Sequence, residues 1–404
     1  MLSAPKSQRL HIAIVGKRNS GKSSLINAIT NQQIAIVSPV PGTTTDPVSK
    51  AMEILPIGPI LLTDTAGFDD EGEVGSLRVA RTRLAIEQAD IALLVIDALE
   101  GPSQKDAETA SFLRERKIPS LTVLNKIDAS TAEQTEKSTS ACASLGFTVI
   151  PASAKTRKNI PALLDAIVSL GPLEPTPPTI LGDLFSPGDT IILNCPIDSS
   201  APKGRIILPQ VNAIRDVLDH GGKAIVVQTE EIRSTLQSLS KPPALVVTDS
   251  QAFEEAAKAT PGEIPFTSFS ILFARYLSDI HTYLEGIRTV DSLKPGDKVL
   301  IAESCTHRRC EEDIGMVKIP NWLNNYVGGK LEYSWSSGYI FPEDISSYKL
   351  IIHCGGCMAN RRELLYRVRK SKELGIPITN YGILIAKLHG LLERAIKPLH
   401  LSCP

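Results

Sequence analysis

The feature that most limits what this chain can become is a run of eight residues, Gly16-Lys17-Arg18-Asn19-Ser20-Gly21-Lys22-Ser23. It sits between an apolar run, RLHIAIVG, and the helix-like SSLINAI. The run fits GxxxxGK[ST], a pattern that works only between a strand and a helix. Its glycines let backbone N–H groups wrap phosphate oxygens, and the helix start adds a positive dipole. Lys22 is then the cation for the β- and γ-phosphates, Ser23 supplies a hydroxyl for Mg²⁺, and Ser24 after it is a further nucleotide-binding candidate. Further strand-like runs, PILLTDTAG, ADIALLVID, IPSLTVLNK and FTVIPASA, alternate with helical patterns over residues 9–171. Strands that read as nearly continuous apolar runs belong to a parallel sheet covered by helices on both faces.

Three more motifs follow at strand ends. Asp64-Thr65-Ala66-Gly67 offers a carboxylate for Mg²⁺ and a glycine N–H for the γ-phosphate. Asn125-Lys126-Ile127-Asp128 offers a carboxylate that accepts from the N1–H and 2-amino group of guanine, which adenine lacks. Ser153-Ala154-Lys155 supports the base from its far side. Ordered this way at the carboxyl ends of strands, they place the ligand where open α/β sheets bind theirs. The expected ligand is GTP or GDP with Mg²⁺. Between the first two motifs lies Pro41-Gly42-Thr43-Thr44-Thr45-Asp46, in which Thr44 is the candidate to complete the Mg²⁺ shell. The residue after the DTAG motif is Phe68, which cannot orient water by hydrogen bonding, so hydrolysis is expected to be slow.

The remaining sequence reads as two smaller α/β blocks with mainly parallel sheets. A proline-rich linker at 172–180 is followed by 181–270, a unit small enough to need pairing with a second copy, and by 271–404. The 404 residues carry a net charge of −1, which leaves no overall basic footprint for nucleic acid or an anionic membrane. No signal peptide or membrane-length apolar run is visible, so a cytoplasmic setting is expected. No long repeat stands out.

Seven cysteines are unevenly placed, with five in the last hundred residues. Cys305-Thr306-His307 follows the strand-like KVLIAES, and His353-Cys354-Gly355-Gly356-Cys357 follows KLIIH. If both strands run parallel, their ends converge and three thiolates meet. Zinc and an iron–sulfur cluster with one open iron both suit such a donor set. Arg308, Arg309, Arg361 and Arg362 flank the motifs. Cys310 reads as a non-ligand, and Cys142, Cys195 and Cys403 as packing or surface residues.

The whole arrangement, GTPase block, middle block and CxH…HCxxC block in this order, resembles the HydF family of FeFe-hydrogenase maturation GTPases. The resemblance covers essentially the full chain. It implies that the middle block is a dimerisation domain and that Cys305, Cys354 and Cys357 hold a 4Fe–4S cluster. His307 and His353 are then candidates for the fourth ligand, and a diiron precursor is the cargo delivered to apo-hydrogenase with the help of maturation partners. The first block is also similar to the TrmE–Era branch of GTPases, whose P-loop asparagine binds K⁺; here that residue is Asn19. The alternative is an Era/TrmE-like RNA- or ribosome-associated GTPase with a structural zinc domain, which requires a basic module that neither later block displays.

Overall fold

The computed structural model describes residues 9–30, 48–65, 82–170, 179–197, 204, 206–304, 313–338, 341–342, 344–356 and 359–402. The chain divides into two compact units, 1–175 and 176–404.

In the first unit the elements run β1 (Leu10–Val15), α1 (Lys22–Thr30), β2 (Val48–Ile54), β3 (Gly58–Asp64), α2 (82–87), β4 (Ile91–Asp97), α3 (Gln104–Glu115), β5 (Ser120–Asn125), α4 (Ala132–Ala143), β6 (Thr148–Pro151) and α5 (Ile160–Leu170). The sheet order is β2-β3-β1-β4-β5-β6. Every pairing is parallel except β2 with β3. All seven residues of β4 are buried, as an inner strand covered on both faces demands. Separate apolar cores lie on the two faces, one around Leu25, Ile60, Leu62 and Leu163, the other around Ile86, Leu113 and Cys142. Helices α3 and α4 start on capping boxes, Ser103 with Asp106 and Thr131 with Gln134, which satisfy N–H groups that have no partner inside the helix.

The second unit holds two four-stranded, fully parallel sheets. The first half runs β7 (Thr190–Asn194), α6 (Leu208–Asp219), β8 (Lys223–Val227), α7 (Ile232–Ser238), β9 (Leu245–Thr248), α8 (Phe253–Ala259), β10 (Phe266–Ser268), α9 (Phe269–Leu277) and α10 (Ile280–Ile287). The second half runs β11 (Lys298–Ala302), α11 (Ile319–Val327), β12 (Glu332–Ser336), β13 (Leu350–His353), α12 (Arg361–Glu373), β14 (Ile378–Asn380), α13 (Tyr381–Leu388) and α14 (Leu392–Ile396). The sheet orders, β10-β9-β7-β8 and β12-β11-β13-β14, are the same topology, with the second strand outside the first and the third and fourth on its other side.

The two halves also match in detail. Each sheet is entered through Pro-Gly-Asp: Asp189 accepts from Ser186 N–H at 2.9 Å, and Asp297 from Lys294 N–H at 2.8 Å. The glycines between, Gly188 and Gly296, have φ of 90° and 88°. The segments IPFTSFSILFAR (264–275) and IPITNYGILIAK (376–387) share six of twelve residues, 112 positions apart. Their equivalent positions Ser270 and Gly382 meet: a Cβ on Gly382 would lie 2.7 Å from Ser270 Cβ. The last helices cross over. Helix α10 packs on β14, where a Cβ on Gly286 would sit 2.0 Å from the Ile378 carbonyl oxygen, and Arg394 of α14 donates to the carbonyls of Ala257, Thr260 and Pro261 beside β10. One continuous apolar core serves both sheets. A repeat that does not stand out in the sequence is therefore present as a fold.

Candidate functional site

The P-loop joins β1 to α1, and its conformation explains its residues. Gly16 has φ 146° and a Cβ there would lie 2.2 Å from the Val95 carbonyl oxygen; Gly21 has φ 94° and a Cβ would lie 2.2 Å from Asn125 Nδ2. Only glycine is accommodated at either place. Asn19 holds φ 63°. Lys22 Nζ donates to the carbonyls of Gly16 (2.9 Å) and Lys17 (2.7 Å), which draws the amine along the loop. The Ser23 hydroxyl donates to Asp64 Oδ2 at 2.5 Å, so the two Mg²⁺ candidates already face each other. Burial pushes the Asp64 carboxyl up, against the opposing pull of Ser23 and Lys22. Thr65 Oγ1 donates to the Ile14 carbonyl at 2.8 Å and ties the end of β3 to β1. The buried Ser20 hydroxyl has no partner among the described residues, as fits a loop shaped for a ligand.

The base-side motifs are joined by one buried side chain. Asn125 Nδ2 donates to the Ser20 carbonyl at 3.0 Å, and its Oδ1 accepts from Ala154 N–H at 3.0 Å. It thereby staples the P-loop to the two loops that carry the candidate base-binding residues. Ser153 Oγ donates to Asp128 Oδ1 at 2.6 Å; this bond, ahead of the nearby Lys155 charge, holds the exposed Asp128 carboxyl below its ordinary range. Lys126, at φ 66°, pairs with Asp97 at 2.6 Å. Asp97 is a site residue that the motifs do not contain; its signal in the sequence is an acidic residue closing the apolar run ADIALLVID. Thr44, Gly67 and Phe68 lie outside the described residues.

The second site lies at the carboxyl edge of the last sheet. Strands β11 and β13 are neighbours, with Ala302 opposite His353. This is the point at which the strand order reverses, where open α/β sheets bind their ligands. The chain leaves β11 through Ser304 towards Cys305 and leaves β13 through Cys354 towards Cys357. The half-buried Cys354 Sγ accepts from Ser304 N–H at 3.2 Å. Gly356 has φ 68°, and a Cβ there would lie 2.8 Å from Leu364. A thiol on a tight glycine turn, with a backbone donor on its sulfur, fits a sulfur-ligated metal group. Cys305, His307, Cys310, Cys357, Cys403, Arg308 and Arg309 lie outside the described residues; Arg361 and Arg362 open α12.

His353 is 1% exposed and has both ring nitrogens in hydrogen bonds, with Arg367, Ser304 and the Cys354 carbonyl. Burial, and then the Arg367 charge, push its pKa down to about 3. The equivalent edge of the first half is closed by polar side chains: Asn194 donates to Thr248 at 2.9 Å, and Gln210 to Asp249 at 3.3 Å. Burial raises the thiols of Cys195 to about 12 and of Cys142 to about 11, which leaves them unreactive packing groups.

The fold and motifs of the first unit define a P-loop GTPase domain, and residues 11–126 match the family described as 50S ribosome-binding GTPase. Residues 180–277 match the hydrogen maturase F dimerization domain and residues 281–398 its tetramerization domain. The chain belongs to the hydrogen maturase F family, whose domains account for more than half of its length. Among curated relatives, GTPase Der of Sulfurihydrogenibium sp. is 39% identical over 176 residues, covering 40% of this chain and 38% of that protein. The tRNA modification GTPase MnmE of Nitrosomonas europaea is 43% identical over 122 residues, covering 30% of this chain and 27% of that protein. The chain thus spans well under half the length of these relatives. The solved structure of Era from Aquifex aeolicus bound to GDP and aluminium fluoride aligns with a TM-score of 0.37 and 19% identity, over 82% of this chain and 94% of that one. A tetramerization domain goes beyond the pairing expected from the sequence. Among the described residues, no helix is long and apolar enough to cross a membrane.

Proposed function

We propose that this chain is a GTP-hydrolysing scaffold for FeFe-hydrogenase maturation. Its first unit, with the GTPase block at 9–171, binds GTP and Mg²⁺. Lys22 neutralises the β- and γ-phosphates, and Ser23, Asp64 and Thr44 hold Mg²⁺. The Gly67 N–H meets the γ-phosphate, while Asn125, Lys126, Asp128 and Ser153-Ala154-Lys155 hold the guanine. With phenylalanine at position 68, turnover is slow, and K⁺ held at Asn19 stimulates it. After the linker at 172–180, the block at 181–270 pairs two copies and the block at 271–404 holds the metal group.

The observation that carries the cluster reading is the convergence of the two cysteine-bearing strand ends, β11 and β13, at the switch point of the last sheet. Cys305, Cys354 and Cys357 would hold a 4Fe–4S cluster there, with His307 and His353 as the candidates for its fourth ligand. When bound, the cluster supplies an anchoring point for a diiron precursor. The chain's own part is to fix the thiolates, to shield them with α12, and to release the cargo to apo-hydrogenase in the cytoplasm. The test is to incubate anaerobically loaded protein with apo-hydrogenase: hydrogen evolution is expected with the wild type and absent with Cys354→Ala. No activation by the loaded wild type sinks the scaffold role.

The similarity to 50S ribosome-binding GTPases, Der and MnmE favours a second reading, a ribosome- or RNA-associated GTPase with a structural zinc site. The residues that match the GTPase family model, 11–126, lie in the first unit, and the second reading predicts zinc in place of iron.

A further inference from the structure

We propose that Arg367 is the positioning residue of the cysteine loop: it holds His353 as a buried strut that presents Cys354 to the cluster while the imidazole stays outside the coordination of iron. The inference rests on the cluster reading and deepens it. A guanidinium donates and never accepts. Arg367 Nη1 lies 3.1 Å from His353 Nε2, so that nitrogen is the acceptor. The Ser304 hydroxyl, at 3.2 Å, donates to the same nitrogen. The proton therefore sits on Nδ1, which donates to the Cys354 carbonyl oxygen at 2.6 Å. A single tautomer satisfies every contact, and in it no lone pair is left for iron.

The arginine is fixed as firmly. Its Nη2 donates to Glu363 Oε1 and to the Gly338 carbonyl, each at 2.7 Å, and Cζ lies 5.4 Å from the centre of the Phe341 ring. Arg367 and Glu363 are each 1% exposed and balance one another's charge. Glu363 stands in the first turn of α12, and its N–H donates to the capping Asn360 Oδ1 at 2.9 Å. The sequence from His353 to Asn360, which contains Cys354 and Cys357, is thus gripped at both ends by one buried network. Ser304 extends it to β11, since its N–H donates to Cys354 Sγ while its hydroxyl holds His353.

The test uses the full-length chain in two forms. In cluster-free protein at neutral pH, nitrogen-15 NMR of histidine-labelled material is expected to show His353, assigned by its loss in His353→Gln, as a neutral ring protonated at Nδ1. Protonation at Nε2 overturns the proposal. In anaerobically reconstituted, reduced protein, pulsed EPR is expected to show no strongly coupled nitrogen that disappears in His353→Gln; such a loss makes His353 a ligand and overturns it. The paired replacement of Glu363→Gln with Arg367→Gln keeps the site neutral. It is expected to retain iron while shifting the midpoint potential and the EPR line shape, and an unchanged potential and spectrum would reduce Arg367 to packing. Wild-type protein that takes up no iron sinks the cluster reading instead, and the NMR result still decides the strut.

Discussion

At the scale of single residues, the nucleotide site is organised by side chains that hold one another. Asp128 is oriented by Ser153, and Asn125 joins three loops. On the guanine-binding role proposed for Asp128, the replacement Asp128→Asn removes a charged acceptor; hydrogen bonds to charged groups contribute about 1.5–3 kcal/mol each, so GTP binding is expected to weaken roughly ten- to hundredfold. Titration calorimetry with GTP and with xanthosine triphosphate checks this, because the asparagine amide should favour the 2-oxo group of xanthine. His353 makes a pH prediction for the cluster-free chain. Its folded pKa of about 3 lies below the ordinary value of about 6.5, so the unfolded state binds more protons between those limits. Its contribution is present above pH 6.5 and is lost as pH falls towards 3, at up to about 1.4 kcal/mol per pH unit. Denaturant unfolding of wild type and His353→Gln across that range should differ by this slope.

At the scale of elements, the motifs are legible in the sequence because phosphate binding dictates both residue type and position. Glycine at 16 and 21 is demanded by the backbone, and the apolar runs around it announce a parallel sheet. The site contacts are less legible. Asp97 bonds to Lys126 across two strand ends, and Arg367 reaches His353 from a helix that begins after the cysteine loop; neither pairing has a fixed spacing in sequence. The duplicated topology is hidden because only short stretches, the Pro-Gly-Asp entries and the segments 264–275 and 376–387, keep residues in common, while the rest of the equivalent elements share their order and strand pairing rather than their sequence. The crossing of α10 onto β14 makes Gly286 a contact of helix on strand backbone. Gly286→Ala is expected to destabilise the second unit by about 1–3 kcal/mol or more. Thermal unfolding should show the loss, with GTP binding by the first unit unchanged.

At the scale of the whole molecule, the two units have separate cores, whereas the two sheets of the second unit share one. A fragment ending at residue 175 is expected to fold and bind GTP, and a fragment of 176–404 is expected to unfold cooperatively. A fragment of 176–278 lacks α14, which packs beside β10, and is expected to lose that cooperative transition; circular dichroism melts of the three fragments check this. The central claim is that one chain joins a GTPase domain to an iron–sulfur scaffold. The most direct measurement is iron and sulfide analysis, with an absorption spectrum, of protein purified and reconstituted without oxygen. About four irons and four sulfides per chain, lost in Cys354→Ala, are the predicted result. A colourless protein holding one tightly bound zinc and refusing iron would contradict it.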